Sequence, residues 1–285
     1  MKKIGSLLLI VTMFFSMMPS MAFAGDNSSE PVEISTAEEF AAMDQDGNYK
    51  LTADIMVTEP YSKSFKGIFD GDGNTITLKL ETASGNAGLF SETGSGAEIR
   101  NVNVNADVIS SASGASYGTG GLIGRVYYPT VLENCSVSGS ITNTATDGNA
   151  VYAGGLVGYQ ADKLTMKNCC SSAEVQSDSK HYNSAVGGLI GKGGNYMVTA
   201  ENCYATGSVT AEGTYAGGFM GYGTFSHSYT NCYAAGTVIG KEAYGFMYNS
   251  KAADCTFTNC FYDSNKSGLN IEKEGLSGKT TDEMK

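Results

Sequence analysis

One five-residue pattern keeps returning along this chain, and it limits the fold more than any other feature. Gly154-Gly155-Leu156-Val157-Gly158 has close copies at Gly120 to Gly124, Gly187 to Gly191 and Gly217 to Gly221, and worn copies at Ala87 to Phe90 and Tyr244 to Met247. The copies recur every 27 to 34 residues. Thirteen or fourteen residues past the glycine before the Leu or Phe comes an asparagine: Asn101, Asn134, Asn168, Asn202, Asn231 and Asn259. A cysteine follows at once in the last five copies, and Val102 in the first. Landmarks held at such spacing mark a repeat array. Each unit is too short to bury an apolar face alone and must stack on its neighbours.

Within each unit the residues after the asparagine alternate. Val102, Val104, Ala106 and Val108 match Cys135, Val137, Gly139 and Ile141, then Cys169, Ser171, Ala173 and Val175, while the positions between are mostly polar. Period-two alternation means strands with one face in and one face out. A second apolar column stands two residues before the asparagine: Ile99, Leu132, Met166, Ala200, Tyr229 and Phe257. These columns predict three short strands per repeat, each pairing in parallel with its equivalent one repeat away, in an all-β parallel β-helix. A propeller is the runner-up; the period is short for a four-stranded blade and Trp is absent. The paired glycines are expected to allow tight bends. The asparagines are expected at corners, where Asn tolerates left-handed geometry and its amide can bond the one above.

The chain begins with Lys2 and Lys3, an apolar run from Leu7 to Phe15, and Ala22-Phe23-Ala24. That pattern predicts a signal peptide over 1–24, cleaved after about Ala24, and so a secreted or cell-surface protein with no membrane insertion afterwards. A flexible leader is expected over 25–34. Residues 35–86 read as an N-terminal cap and first rungs. Ser35 and Thr36, each three residues before a glutamate, offer overlapping capping boxes for a short helix over about Thr36 to Met43. Such a helix would cover the open end of the stack. Residues 87–264 hold the repeats, and 265–285 form a C-terminal tail.

The net charge of −11 argues against nucleic acid as a partner. Five of the seven cysteines occupy one repeat position, so they are expected to stack as free, buried thiols, leaving Cys170 and Cys255 outside the file. Asp70, Asp72 and Asn74 hold positions 1, 3 and 5 of a calcium loop, yet position 6 is Thr75 where glycine is required, and an acidic turn is the preferred reading. His181 and His227 lack metal-ligand spacing and read as surface residues. The outward acids Asp107, Glu133, Asp162, Glu174 and Glu201 form no repeated pair of the kind glycoside hydrolysis needs. No cofactor or catalytic residue is predicted.

The GG-[LF]-[VIM]-G copies, the Asn-Cys copies and the opening Phe65-Lys66-Gly67-Ile68-Phe69-Asp70-Gly71 resemble the GLUG-repeat family of bacterial secreted and surface proteins, over roughly residues 32 to 285. The resemblance implies a right-handed, pectin-lyase-like β-helix, found on exported proteins that include adhesins and the flanks of IgA-specific metallopeptidases. The ending Thr280-Thr281-Asp282-Glu283-Met284-Lys285 resembles the segment that closes such arrays, after which more domains often follow, so a short member or a fragment is expected.

Tyr117, Tyr152, Tyr182, Tyr215 and Tyr244 precede the repeats' key glycines, and Tyr159 and Tyr222 follow the motif directly. Of these, Tyr152, Tyr159, Tyr215 and Tyr222 are the candidate ligand-binding residues, able to stack on sugar rings or anchor a protein; the bland reading packs them over their own turns. The long loops, Asn143 to Tyr152 and Gln176 to Val186, are the other place where recognition is expected. The functional expectation is a non-enzymatic adhesion, binding or spacer module for a surface protein or glycan. The alternative is a polysaccharide lyase or hydrolase on the same fold.

Overall fold

The computed structural model describes residues 30–114, 117–213, 215–249, 254–268 and 272–285; the expected signal peptide lies outside them. Among the described residues the strands form four parallel sheets of nine, seven, five and twelve strands. One rung shows the plan. Tyr152–Gly154 lies in the five-stranded sheet, Val157–Gln160 in the seven-stranded sheet and Leu164–Lys167 in the nine-stranded sheet. Cys170–Ser171 and Glu174–Ser177 then run through the twelve-stranded sheet. Each strand pairs in parallel with its equivalent in the rungs before and after, as Leu164 does with Thr130 and Val198. The chain is a β-solenoid of stacked rungs.

The expectation of three strands per repeat falls short, because the double glycine splits the first strand into two. The expected reason for the glycines also changes. None of the motif glycines has a positive φ; those that do lie elsewhere, such as Gly73, Gly139 and Gly148. The constraint is closeness. A Cβ on Gly154 would collide with the Val157 carbonyl oxygen, and one on Gly155 with the Gly188 carbonyl oxygen and Ser171 Oγ. The pair folds the chain into an arch whose two limbs nearly touch. Leu122, Leu156, Leu189, Phe219 and Phe246 sit at successive arches, all buried, and pass backbone bonds along the file: Leu122 N to Leu156 O at 3.1 Å, Leu156 N to Leu189 O at 2.9 Å.

At the opposite corner the asparagines behave as predicted. All six have φ between 52° and 54°. Each side-chain amide donates to the Oδ1 of the asparagine one rung before, from Asn134 onto Asn101 (2.9 Å) through Asn259 onto Asn231 (2.9 Å). The ladder ends on a carboxylate, since Asn101 donates to Asp70 Oδ1 at 2.9 Å. Beside it runs the file Cys135, Cys169, Cys203, Cys232 and Cys260, all buried free thiols. Each thiol donates to the carbonyl two residues earlier, as Cys169 does to Lys167 at 3.2 Å.

The N-terminal end is closed as the capping residues dictate. Helix Ala37–Ala42 is capped by Thr36, whose hydroxyl accepts from the Glu39 amide at 3.1 Å while the Glu39 carboxylate accepts from the Thr36 amide at 3.2 Å. The helix turns Phe40 onto Tyr61, Phe69 and Phe90, all edge-on at 5.6–6.1 Å. Two boundaries move. Val32–Ile34, expected in the flexible leader, is a strand paired with Asn48–Leu51, because Ile34 finds a buried place on the same core. Leu276–Lys279, expected in the tail, adds a strand beside Cys260–Asp263, with Leu276 buried.

Candidate functional site

Two long loops leave the coil at the same edge, in adjacent rungs, and a cavity of about 580 Å³ opens between them. It is lined by Thr146, Gly148, Asp178, Lys180, His181 and Tyr182. The loops are held from beneath. Asn143, buried where its strand ends, donates to the Ala112 carbonyl at 2.8 Å and accepts from the Ala145 amide at 3.0 Å. Ser179 and Ser184, both buried, bond each other at 2.9 Å, and Ser179 donates across to the Asn149 carbonyl at 3.0 Å. Asp147 accepts from the side chains of Ser113 and Asn149, which hold its carboxyl below the usual range. Ser179 ties the two loops to each other, while Asn143 and Asp147 tie the first of them to the 111–114 segment of the rung before.

Next to the loops run the tyrosines. The strand before each arch places Tyr152, Ala185, Tyr215 and Glu242 in register; the strand after it places Arg125, Tyr159, Lys192, Tyr222 and Tyr248 in register. The structure therefore brings the four predicted tyrosines to one strip, interleaved with two cations. The rings of Tyr152 and Tyr159 are 5.2 Å apart, and Tyr215 stacks on Tyr222 at 4.7 Å and on Tyr248 at 4.6 Å. Lys192 fills the space left opposite small Ala185. Its ammonium lies 4.4 Å from the Tyr152 ring centre and donates to the Tyr152 hydroxyl at 2.9 Å. Burial pushes the Lys192 pKa down and that of Tyr152 up to about 12. Arg125 lies over Tyr127 at 4.4 Å and Tyr159 at 5.5 Å.

This arrangement decides what the strip can do. The rings of Tyr215, Tyr222 and Tyr248 stack on one another, which leaves less ring face open to a ligand. Tyr152 is only 1% exposed and forms the floor of the strip. The packing that the bland reading anticipated is thus present within rungs, as Tyr152 against Tyr159 and Tyr215 on Tyr222, and it extends to the next rung through Lys192 and Tyr248. Tyr182, by contrast, is 75% exposed at the crest of its loop, with its ring beside that of His181 at 4.5 Å. Lys192 and Arg125 were legible as strip residues, since each directly follows a motif's last glycine as Tyr159 and Tyr222 do.

Elsewhere the polar candidates are occupied by structure. Asp70 would be raised by burial, but bonds from the Asn101 side chain, the Asp72 amide and the Arg100 guanidinium hold it below the usual range. Asp72 pairs with Lys50 at 3.0 Å, and the Asn74 amide donates to the carbonyls of Leu51 and Gly71. Arg100 also bonds Glu98 at 2.8 Å. Among outward acids, Glu133 and Glu201 stand two rungs apart with Lys167 between them. His227 corrects the surface reading. It is 1% exposed and continues the inward file of Leu164 and Val198. Its Nδ1 accepts from the Val198 amide at 3.1 Å, and its buried Nε2 has no hydrogen-bond partner. Among the described residues no group of three or more His, Cys, Asp or Glu side chains could hold a metal ion.

Comparison with known proteins agrees with this architecture. The family described as the GLUG motif matches residues 115–142 and 182–210, two segments that each run through an arch and an asparagine corner. No curated protein matches the chain. Among solved structures, a Bacteroides ovatus protein described as a "putative immunoglobulin A1 protease" superposes with a TM-score of 0.68 at 21% identity, over 90% of this chain and 86% of that one. At that identity the likeness is one of fold.

Proposed function

We propose that this protein is an exported or cell-surface β-solenoid that works by binding or spacing, without chemistry of its own. The rungs supply a stiff rod in which every repeat carries the same bonds, and the loop edge supplies the variety. The observation that carries the reading is the pair of long loops, set side by side over a cavity and fixed by buried serines. Loops held rigid on a regular scaffold are where solenoids recognise partners, because little ordering entropy is lost on binding. A surface protein or a glycan is the expected partner.

The test is a loop graft. Replacing 144–150 and 178–184 with the short connection found at 212–214 leaves the rungs intact. Labelled wild-type protein is expected to bind intact cells or extracellular matrix, and the grafted protein to lose that binding. Equal binding by both would sink the recognition role of the edge. A polysaccharide-active enzyme would instead release reducing ends or unsaturated products from a polysaccharide panel.

A further inference from the structure

The cavity between the two loops has the makeup of a sugar site, and we propose that it binds a neutral pyranose. This assignment rests on reading the loop edge as a recognition surface. A pyranose makes two demands at once. One face of C–H groups seeks a flat apolar partner, and a rim of hydroxyls seeks both donors and acceptors. Tyr182 supplies the first, as a ring standing 75% exposed beside His181 and not consumed in a ladder, unlike the rings of Tyr215, Tyr222 and Tyr248.

The rest of the lining supplies the second demand. Asp178 offers carboxylate acceptors, one of which already takes a bond from Gln176 at 3.0 Å. Lys180 donates, and Thr146 can do both. His181 Nδ1 accepts from the Asn183 amide at 3.1 Å, which leaves Nε2 to donate. One carboxylate and one ammonium cancel within the cavity, while the chain as a whole carries −11 and would repel polyanionic glycans. An added peptide strand has no place here. Tyr152–Gly154 and Ala185–Gly187 are already paired on both sides.

Saturation-transfer NMR on the intact protein tests this, with methyl α-mannoside, methyl β-galactoside, methyl β-glucoside and N-acetylglucosamine as neutral probes and a heparin hexasaccharide as the polyanion. Transfer to at least one neutral sugar and none to heparin is expected. Tyr182→Ala should weaken that binding by about tenfold, the size of a lost aromatic contact, and Tyr182→Phe should keep it. Tyr127→Ala, at an exposed ring elsewhere, should change nothing. Silence from every neutral sugar, undiminished transfer in Tyr182→Ala, or a preference for heparin would overturn the assignment. If the loop graft abolishes cell binding while no sugar binds, the sugar assignment alone falls. If sugars bind but the graft still adheres to cells, the broader recognition reading falls instead.

Discussion

Two sides of the same rung follow opposite rules. At the asparagine corner one residue type recurs six times with φ values within two degrees of each other, and each copy bonds the next. At the loop edge the connections differ in length and chemistry, and only the cap at the strand end recurs, where Ser110, Asn143 and Ser177 each accept from the amide two residues on. The difference lies in what each side must satisfy. The corner holds an unfavourable left-handed turn and a column of amides that need identical neighbours above and below. The edge has only to bring the chain back to the next arch, and its bonds run within and between neighbouring loops of unlike sequence. Register therefore enforces identity on one side and leaves composition free on the other.

The sharpest way to break that contrast is Asn168→Ala. It removes an amide that donates to Asn134 at 2.9 Å and accepts from Asn202 at 3.1 Å, and it puts a Cβ residue without a local bond at φ 53°. Two bonds of about 1 kcal/mol each and a left-handed cost of about 1–2 kcal/mol give a loss of about 3–4 kcal/mol in urea unfolding. Asn168→Gly should recover the backbone share only. A slightly smaller effect is expected from acid acting on the interior. Burial lowers the His227 pKa to about 4 from an ordinary value near 6.5. The unfolded chain therefore takes up the proton first, so stability is full above pH 6.5, falls as pH drops toward 4, and then levels off for this group. At about 1.4 kcal/mol per unit the loss approaches about 3 kcal/mol. Thermal melts of His227→Leu, which extends the file of Leu164 and Val198, should lose that part of the pH dependence. The smallest effect belongs to the edge. Tyr182→Ala should shift stability by no more than about 0.5 kcal/mol, because nothing in the coil depends on its ring. A loss as large as the one at Asn168 would erase the distinction between the two sides.

What could be read in advance follows the same division. Period-two columns, the asparagine corner and the Thr36–Glu39 capping box are local rules repeated many times, and all three stand where the residues put them. The double glycine was legible as a landmark but not as a near-contact between two strands, because that spacing arises only once rungs stack. Tyr152 looked like a surface ring for the same reason; the lysine that covers it comes from the next rung. His227 was missed although the column rule reached it, since it lies two residues before Tyr229 just as Val198 lies two before Ala200. The cavity could not be seen, because sequence shows two long loops but not that they lean together. Val32–Ile34 joined the first sheet through pairing with a partner too far along the chain for local pattern to reveal.

The amide column has one more consequence. Each asparagine meets the next as the previous one met it, so a unit inserted or removed in the middle of the stack finds the same neighbours on both cut faces. Gene duplication can then alter the length of such a rod in steps of about 4.8 Å, one strand spacing at a time, without a new solution for the corner. The distance at which the loops are held out is an adjustable quantity, set by how many copies of a single unit the gene contains.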